Sequence, residues 1–233
     1  STWCWGAAGT TGDGTGLASS TPVAVDSALR FPSVSVGPSG LSCAVAVTGE
    51  LWCWGRTVGW SPWHDGTTQK DRPAQIGAGT DWVAVAVGDG YLCGRTQVAA
   101  LLCLGRPDHP VMAYPGATGE LPSEPMPGVD VTAMATGPDS ICASIPSGDV
   151  TCWGANGFGQ LGIGSSTTAV AEPPAPTTYG VAASLLFMGA RTGCLRDGPG
   201  ALTCWGDNSL GTFGVPDATP PYTPRPVVAG TTF

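Results

Sequence analysis

The chain has 233 residues, of which 36 are Gly and 22 are Pro, yet 42% are hydrophobic and nine are Trp. That hydrophobic content excludes a disordered chain, and the Gly and Pro point to many short strands joined by tight turns. A net charge of -8 with nine Lys+Arg repels phosphate backbones, so nucleic acid and anionic membranes are not expected partners, and no apolar run reaches the roughly 20 residues of a membrane helix.

Along the chain the first element is "TWCWG" (2–6), which recurs as "LWCWG" (51–55), "LLCLG" (101–105), "VTCWG" (150–154) and "LTCWG" (202–206). The cysteines of these segments fall at 4, 53, 103, 152 and 204, a period of 49 to 52 residues. Each of the last four is preceded ten positions earlier by another: Cys43, Cys93, Cys142 and Cys194. Ahead of those lie short runs ending in Gly: "SVSVG" (33–37), "VAVAVG" (83–88), "TAMATG" (132–137) and "SLLFMG" (184–189). Weaker strands, such as "TPVAV" (21–25) and "RPAQIG" (72–77), follow the glycine-rich turns, and "PVVAGTTF" (226–233) begins the unit again. Four strands per unit of about 50 residues predict an all-β propeller of four-stranded blades, with about five repeats visible and residues 1–233 forming a single domain.

Between the paired cysteines lie "AVAVTGELW" and "ASIPSGDVT", each with a Gly near the midpoint where a tight turn needs positive φ. Symmetry about that turn sets the two cysteines opposite one another. We expect disulfides Cys43–Cys53, Cys93–Cys103, Cys142–Cys152 and Cys194–Cys204, with buried free thiols as the competing reading. Zinc ligation is disfavoured by two His and no CxxC. Regular pairing implies an oxidising compartment, outside the cell or in the secretory path. Cys4 stands where the second cysteine of a pair belongs and is expected to be unpaired within the chain. Either the terminal strands share one hairpin with a few residues absent, or the chain is an excerpt of a longer array.

The segment "CWGANGFGQLGIG" (152–164) is similar to the W-G-x-N-x-x-G-Q-L-G-x-G signature of regulator-of-chromosome-condensation-type repeats. "CWGDNSLGTFG" (204–214) matches in part, whereas "CWGRTVGWSPWHDG" (53–66) and "CLGRPDHP" (103–110) have lost the Asn and the Gln-Leu-Gly. The resemblance extends over the chain at repeat level and implies a propeller, usually seven-bladed. The paired cysteines resemble those of secreted bacterial repeat proteins and of crinkly-type plant receptor kinase ectodomains.

Catalytic signals are sparse. His64 and His109 sit in Pro-containing loops and read as solvent-exposed, and no G-x-S-x-G turn accompanies them. "GTTGDGTG" (9–16) lacks the Lys of a phosphate loop and reads as a turn. No cofactor or metal is expected. Trp5, Trp54, Trp153 and Trp205 recur after the cysteine and are expected to pack between blades, with Leu104 standing in once. Function should lie where the repeat is abandoned, at 56–71 and 106–125, with Trp60, Trp63, His64, Asp65, Arg106, His109 and Tyr114 as candidate partner-binding residues. For Trp60 and Trp63 the competing reading is that they plug a lost glycine turn. The expected function is a non-enzymatic extracellular module that binds a protein partner. The alternative is a glycan-binding lectin, since Trp and Asp on propeller loops also suit sugars.

Overall fold

The computed structural model describes residues 1–79, 81–115, 117, 122–166, 183–214 and 222–227. Their regular structure is β throughout, apart from one 3₁₀ turn at Pro110–Met112. The chain divides into two compact units, Ser1–Pro107 with Ala117–Glu124, and Asp108–Gly116 with Pro125–Phe233.

The first unit holds three antiparallel sheets. Sheet one pairs β1 (Trp3–Gly6) with β2 (Ser19–Ala24). Sheet two is a full four-stranded meander of β3 (Ser35–Val36), β4 (Leu41–Val45), β5 (Leu51–Arg56) and β6 (Gln69–Gln75). Sheet three contains β7 (Trp82–Val87), β8 (Tyr91–Thr96) and β9 (Leu101–Gly105), and an isolated bridge from Cys103 to Ser123 takes the place of its fourth strand. In the second unit, sheet four contains β10 (Ala133–Thr136), β11 (Ser140–Ser144) and β12 (Val150–Gly154). Sheet five contains β13 (Ala183–Met188), β14 (Thr192–Asp197), β15 (Leu202–Gly206) and β16 (Arg225–Pro226). The fresh start of the repeat expected at the end of the chain lies, from residue 228 on, outside the described residues.

Strands are buried on both faces where sheets stack on one another. β4, β11 and β12 are buried along nearly their whole length, which suits their continuous apolar or small residues. One core in the first unit joins Leu41, Leu51 and Ile76 of sheet two to Trp82, Leu92 and Leu104 of sheet three. Its counterpart in the second unit joins Val150 and Leu161 to Leu186, Leu195 and Trp205.

The hairpin register sets each cysteine pair directly opposite: Cys43↔Cys53, Cys93↔Cys103, Cys142↔Cys152 and Cys194↔Cys204. All four disulfides are formed, each with Cα atoms 4.1 Å apart. Cys4 is the free cysteine.

The Gly that follows each buried repeat Trp has a steric cause. At Gly154, with φ +106, a Cβ would lie 2.4 Å from the carbonyl oxygen of Asp139, in the turn before the neighbouring strand. Gly55 and Gly206 meet the carbonyls of Gly40 and Arg191 at 2.1 and 2.2 Å in the same way. Only a residue without a side chain fits there.

Candidate interaction surface

The repeat signature is structural. The buried Asn156 side chain accepts a hydrogen bond from the Leu161 amide at 3.1 Å and donates to the Ser165 carbonyl at 3.0 Å, folding the glycine turn around itself. Asn208 accepts from the Phe213 amide at 2.9 Å in the next copy. The turn so formed receives the Trp of the following sheet. Trp205 donates from Nε1 to the Gln160 carbonyl at 2.8 Å, and its ring leaves room only for Gly at position 162. Trp54 lies against Gly12 in the first unit.

Trp54, Trp153 and Trp205 are thus fully buried, and Leu104 nearly so. Trp5 departs from the expected packing: it is 62% exposed. The 9–16 run is a turn, in which the Asp13 carboxylate accepts from the Thr15 amide and from the hydroxyls of Thr11 and Thr15. These hydrogen bonds, led by that of the Thr15 amide, hold its carboxyl below the usual range and keep a negative charge there.

The two divergent loops contain further repair of the repeat. At 106–113 the motif residues are gone, yet Val111 stands eight positions after Cys103, as Gln160 does after Cys152. The Val111 carbonyl accepts from Trp153 Nε1 at 3.2 Å, and buried Met112 takes the place of Leu161. His109 pins this loop instead, from six positions after Cys103 where Asn156 stands four after Cys152. Its Nδ1 accepts from the Val111 amide at 3.2 Å, which leaves the proton on Nε2 to face Asp139 Oδ1, also at 3.2 Å. His109 is 1% exposed, which corrects the expectation of a solvent-exposed loop histidine. Tyr114 is buried as well, at 6%.

At 56–71 the Trp60 side chain is 9% exposed and shares a core cluster with Leu104, the one small residue at the repeat Trp position. Trp60 therefore adds bulk to the cluster in which Leu104 replaces an indole. Thr57 Oγ1 donates to the Trp60 carbonyl at 2.6 Å and fixes the loop. Trp63 packs half-buried on that cluster, and its indole nitrogen meets no acceptor. Lys70 Nζ sits 5.8 Å above the Trp63 ring and 2.5 Å from Asp65 Oδ2. Asp65 also accepts from the amide and hydroxyl of Thr67. Lys70, then Thr67, hold the Asp65 carboxyl far below the usual carboxylate range.

His64 is exposed at the loop tip with φ 55, a left-handed conformation uncommon for any residue but Gly. Of the seven candidate residues, Trp63, His64 and Asp65 thus form one surface cluster with Lys70. Arg106 is half-buried in the first unit, beside the positions a side chain would take at Gly59 and Gly90. His109 and Tyr114 belong to the second unit. Lys70 lies within the 56–71 loop marked by the sequence but is not among the seven candidates; its five-residue spacing from Asp65 was the available signal. Among the described residues, no group of three or more His, Cys, Asp or Glu side chains could hold a metal ion.

No protein-family model matches the chain. The ultraviolet-B receptor UVR8 of Arabidopsis thaliana is 26% identical over 200 residues, spanning 82% of this chain and 45% of the receptor. Among solved structures, the crystal structure of Kap60 bound to yeast RCC1 (Prp20) matches with a TM-score of 0.79 and 18% identity, over 98% of this chain and 60% of the other. The entire ectodomain of the receptor kinase CR4 of Physcomitrella patens matches with a TM-score of 0.52 and 15% identity, over 81% of this chain and 44% of the other. The chain spans about half the length of these proteins. It has the RCC1-like repeat β-propeller fold, with a disulfide in the hairpin of four of its sheets.

Proposed function

We propose that the chain is a non-enzymatic, extracellular protein-interaction module, of which the 56–71 loop is a contact surface. The observation that carries this reading is the Trp63–His64–Asp65–Lys70 cluster. An aromatic ring, an ion pair and a backbone-strained imidazole are presented at the tip of a loop whose root is fixed by a buried Trp and a stapled sheet. Rigid presentation of aromatic and charged groups lowers the entropy lost on binding, and strain in a surface loop persists where its surroundings enforce it. Four disulfides support an oxidising compartment, as does the likeness in fold to a receptor ectodomain. Protein binding is documented in the fold: Prp20 was solved bound to Kap60, and its binding to Gsp1p and histones was described with its structure.

The test is affinity capture from secreted and cell-surface protein fractions, with wild type and a His64→Ala/Asp65→Ala variant in parallel. We expect a partner that wild type retains and the variant loses at least tenfold. Equal retention by both proteins removes the loop from the interface, and retention of oligosaccharide alone on a glycan array converts the reading to a lectin. Trp60→Ala is unsuitable as a probe of binding, since Trp60 lies in the core.

A further inference from the structure

The tips of the four stapled hairpins are one kind of turn. In each, the amide six positions after the first cysteine donates to the carbonyl three residues back: Gly49 to Ala46, Ala99 to Thr96, Gly148 to Ile145 and Gly200 to Asp197. Gly49, Gly148 and Gly200 hold that position with φ of 94, 86 and 101. Ala99 holds it with φ 62, a left-handed conformation that its Cβ disfavours. The residue before it departs as well. Thr48, Ser147 and Pro199 suit a turn, but their counterpart is Val98, 76% exposed. Strain of this kind gathers at binding sites.

A second departure stands beside the first. β7 and β13 each carry a bulge near their start. In β13 the bulged residue is Ser184, whose hydroxyl donates to the Arg196 and Asp197 carbonyls at 2.9 Å. In β7 it is Val83, 41% exposed. Val83 and Val47, itself 65% exposed, wall a cleft of about 300 Å³ that Pro32, Val45, Trp82 and Gln97 also line. Single exposed apolar residues are ordinary, but three valines at one cleft, beside a strained tip, make a patch. It lies at the far end of the sheet from the 56–71 loop, since the 46–50 turn and that loop flank opposite ends of β5.

Among the described residues, no charged side chain lines the cleft. Its rim is charged. Glu50 accepts from the Thr48 hydroxyl, and Asp81, next to Trp82, accepts the Gln97 amide on its carbonyl at 2.8 Å. Arg30 meets the cleft through its carbonyl, which accepts from the Val47 amide at 3.1 Å. With Glu50 and Asp81 set against Arg30, the rim is net negative, as is the chain at -8.

We propose that this end of the first unit is a second docking surface, for an extended segment of a partner protein that sets apolar side chains between basic ones. The cleft is at the small end of the roughly 300–1,000 Å³ of ligand sites, so it takes a side chain or two rather than a bulky group. An apolar side chain enters between Val47 and Val83, and flanking Lys or Arg reach back to Glu50 and Asp81. The proposal does not rest on the 56–71 loop.

The test is fluorescence anisotropy with three labelled decapeptides: alternating Val and Lys, alternating Val and Glu, and alternating Ser and Lys. The Val–Lys peptide should bind at least tenfold tighter than either of the others. Val83→Ser/Val98→Ser installs the residue types of the sister positions, Ser184 and Ser147. It should fold as wild type does by circular dichroism and bind the Val–Lys peptide at least tenfold more weakly. Asp81→Asn should weaken binding several-fold with the fold unchanged. His64→Ala/Asp65→Ala should bind as wild type does, so the two surfaces stand or fall separately. Equal affinity for the Val–Lys and Ser–Lys peptides would reduce the effect to net charge and overturn the proposal. Unchanged affinity in Val83→Ser/Val98→Ser would overturn it too. So would sedimentation of wild type as a dimer that the double variant dissolves, which gives the patch to a second copy of the chain.

Discussion

Replacing Gly154 with Ala tests the steric reading of the repeat most directly. The new methyl carbon would lie 2.4 Å from the Asp139 carbonyl oxygen and 2.9 Å from both Ser140 Cα and Val111 Cγ2. Two of these atoms are backbone, so relief requires the hairpin itself to shift. The conformational penalty at φ +106 is about 1–3 kcal/mol, and overpacking adds roughly 1–3 kcal/mol. Gly211 supplies the control: its φ is +69, and nothing lies within 4 Å of its would-be Cβ. Gly211→Ala should therefore lose only the backbone term, about 1–2 kcal/mol. The gap of about 2 kcal/mol corresponds to a melting-temperature difference on the order of 8 °C for a unit of this size. Thermal unfolding followed by near-ultraviolet circular dichroism, with the disulfides intact, measures it. Midpoints for the two variants within about 2 °C of each other would refute the carbonyl clash as the reason for the glycine.

Other outcomes follow from the same geometry. Trp205→Phe should cost about 1 kcal/mol more than Trp54→Phe in denaturant titration, because Trp205 gives up a buried hydrogen bond to Gln160 whereas the Trp54 indole nitrogen has no acceptor to lose. His109→Asn should keep most of the stability that His109→Ala loses, about 1–3 kcal/mol, since an Asn oxygen can accept from the amide two residues on, as His109 Nδ1 does from Val111. Asp65 has a folded pKa depressed by Lys70 and Thr67, so its contribution is present above the unfolded carboxylate value near 4 and fades only as pH falls below it toward the folded value. Its carboxyl carbon, followed by NMR, should show an ionised group at pH 4; a midpoint at ordinary carboxylate pH contradicts the clasp.

The sheets and staples were legible because they depend on local spacing: ten residues about a central turn dictate Cys43 opposite Cys53 whatever surrounds them. Burial was less legible, because it depends on the neighbour. Trp5 shares its local sequence with Trp54 and Trp205, yet it is 62% exposed where they are fully buried. His109 was misread because a loop rich in Pro resembles surface. The signal that identified its role lay further on, in Val-Met-Ala standing at the same offsets from Cys103 as Gln-Leu-Gly from Cys152. Trp60 could not be distinguished from a surface anchor by residue type, since large aromatics serve both cores and interfaces. Only its clustering with Leu104 decides where its side chain lies.

The staples also govern how the protein would respond to being pulled. Each bond joins neighbouring strands across a sequence separation of 10 while its Cα atoms stay 4.1 Å apart. Tension along the chain crosses from strand to strand through sulfur and bypasses the turn, so about 3 nm of contour per staple stays slack. Across four staples that is roughly 12 nm of extension withheld until a reductant arrives. Mechanical compliance is thereby under chemical control, and a force probe in oxidising solution should find shorter extensions than one with the thiols reduced.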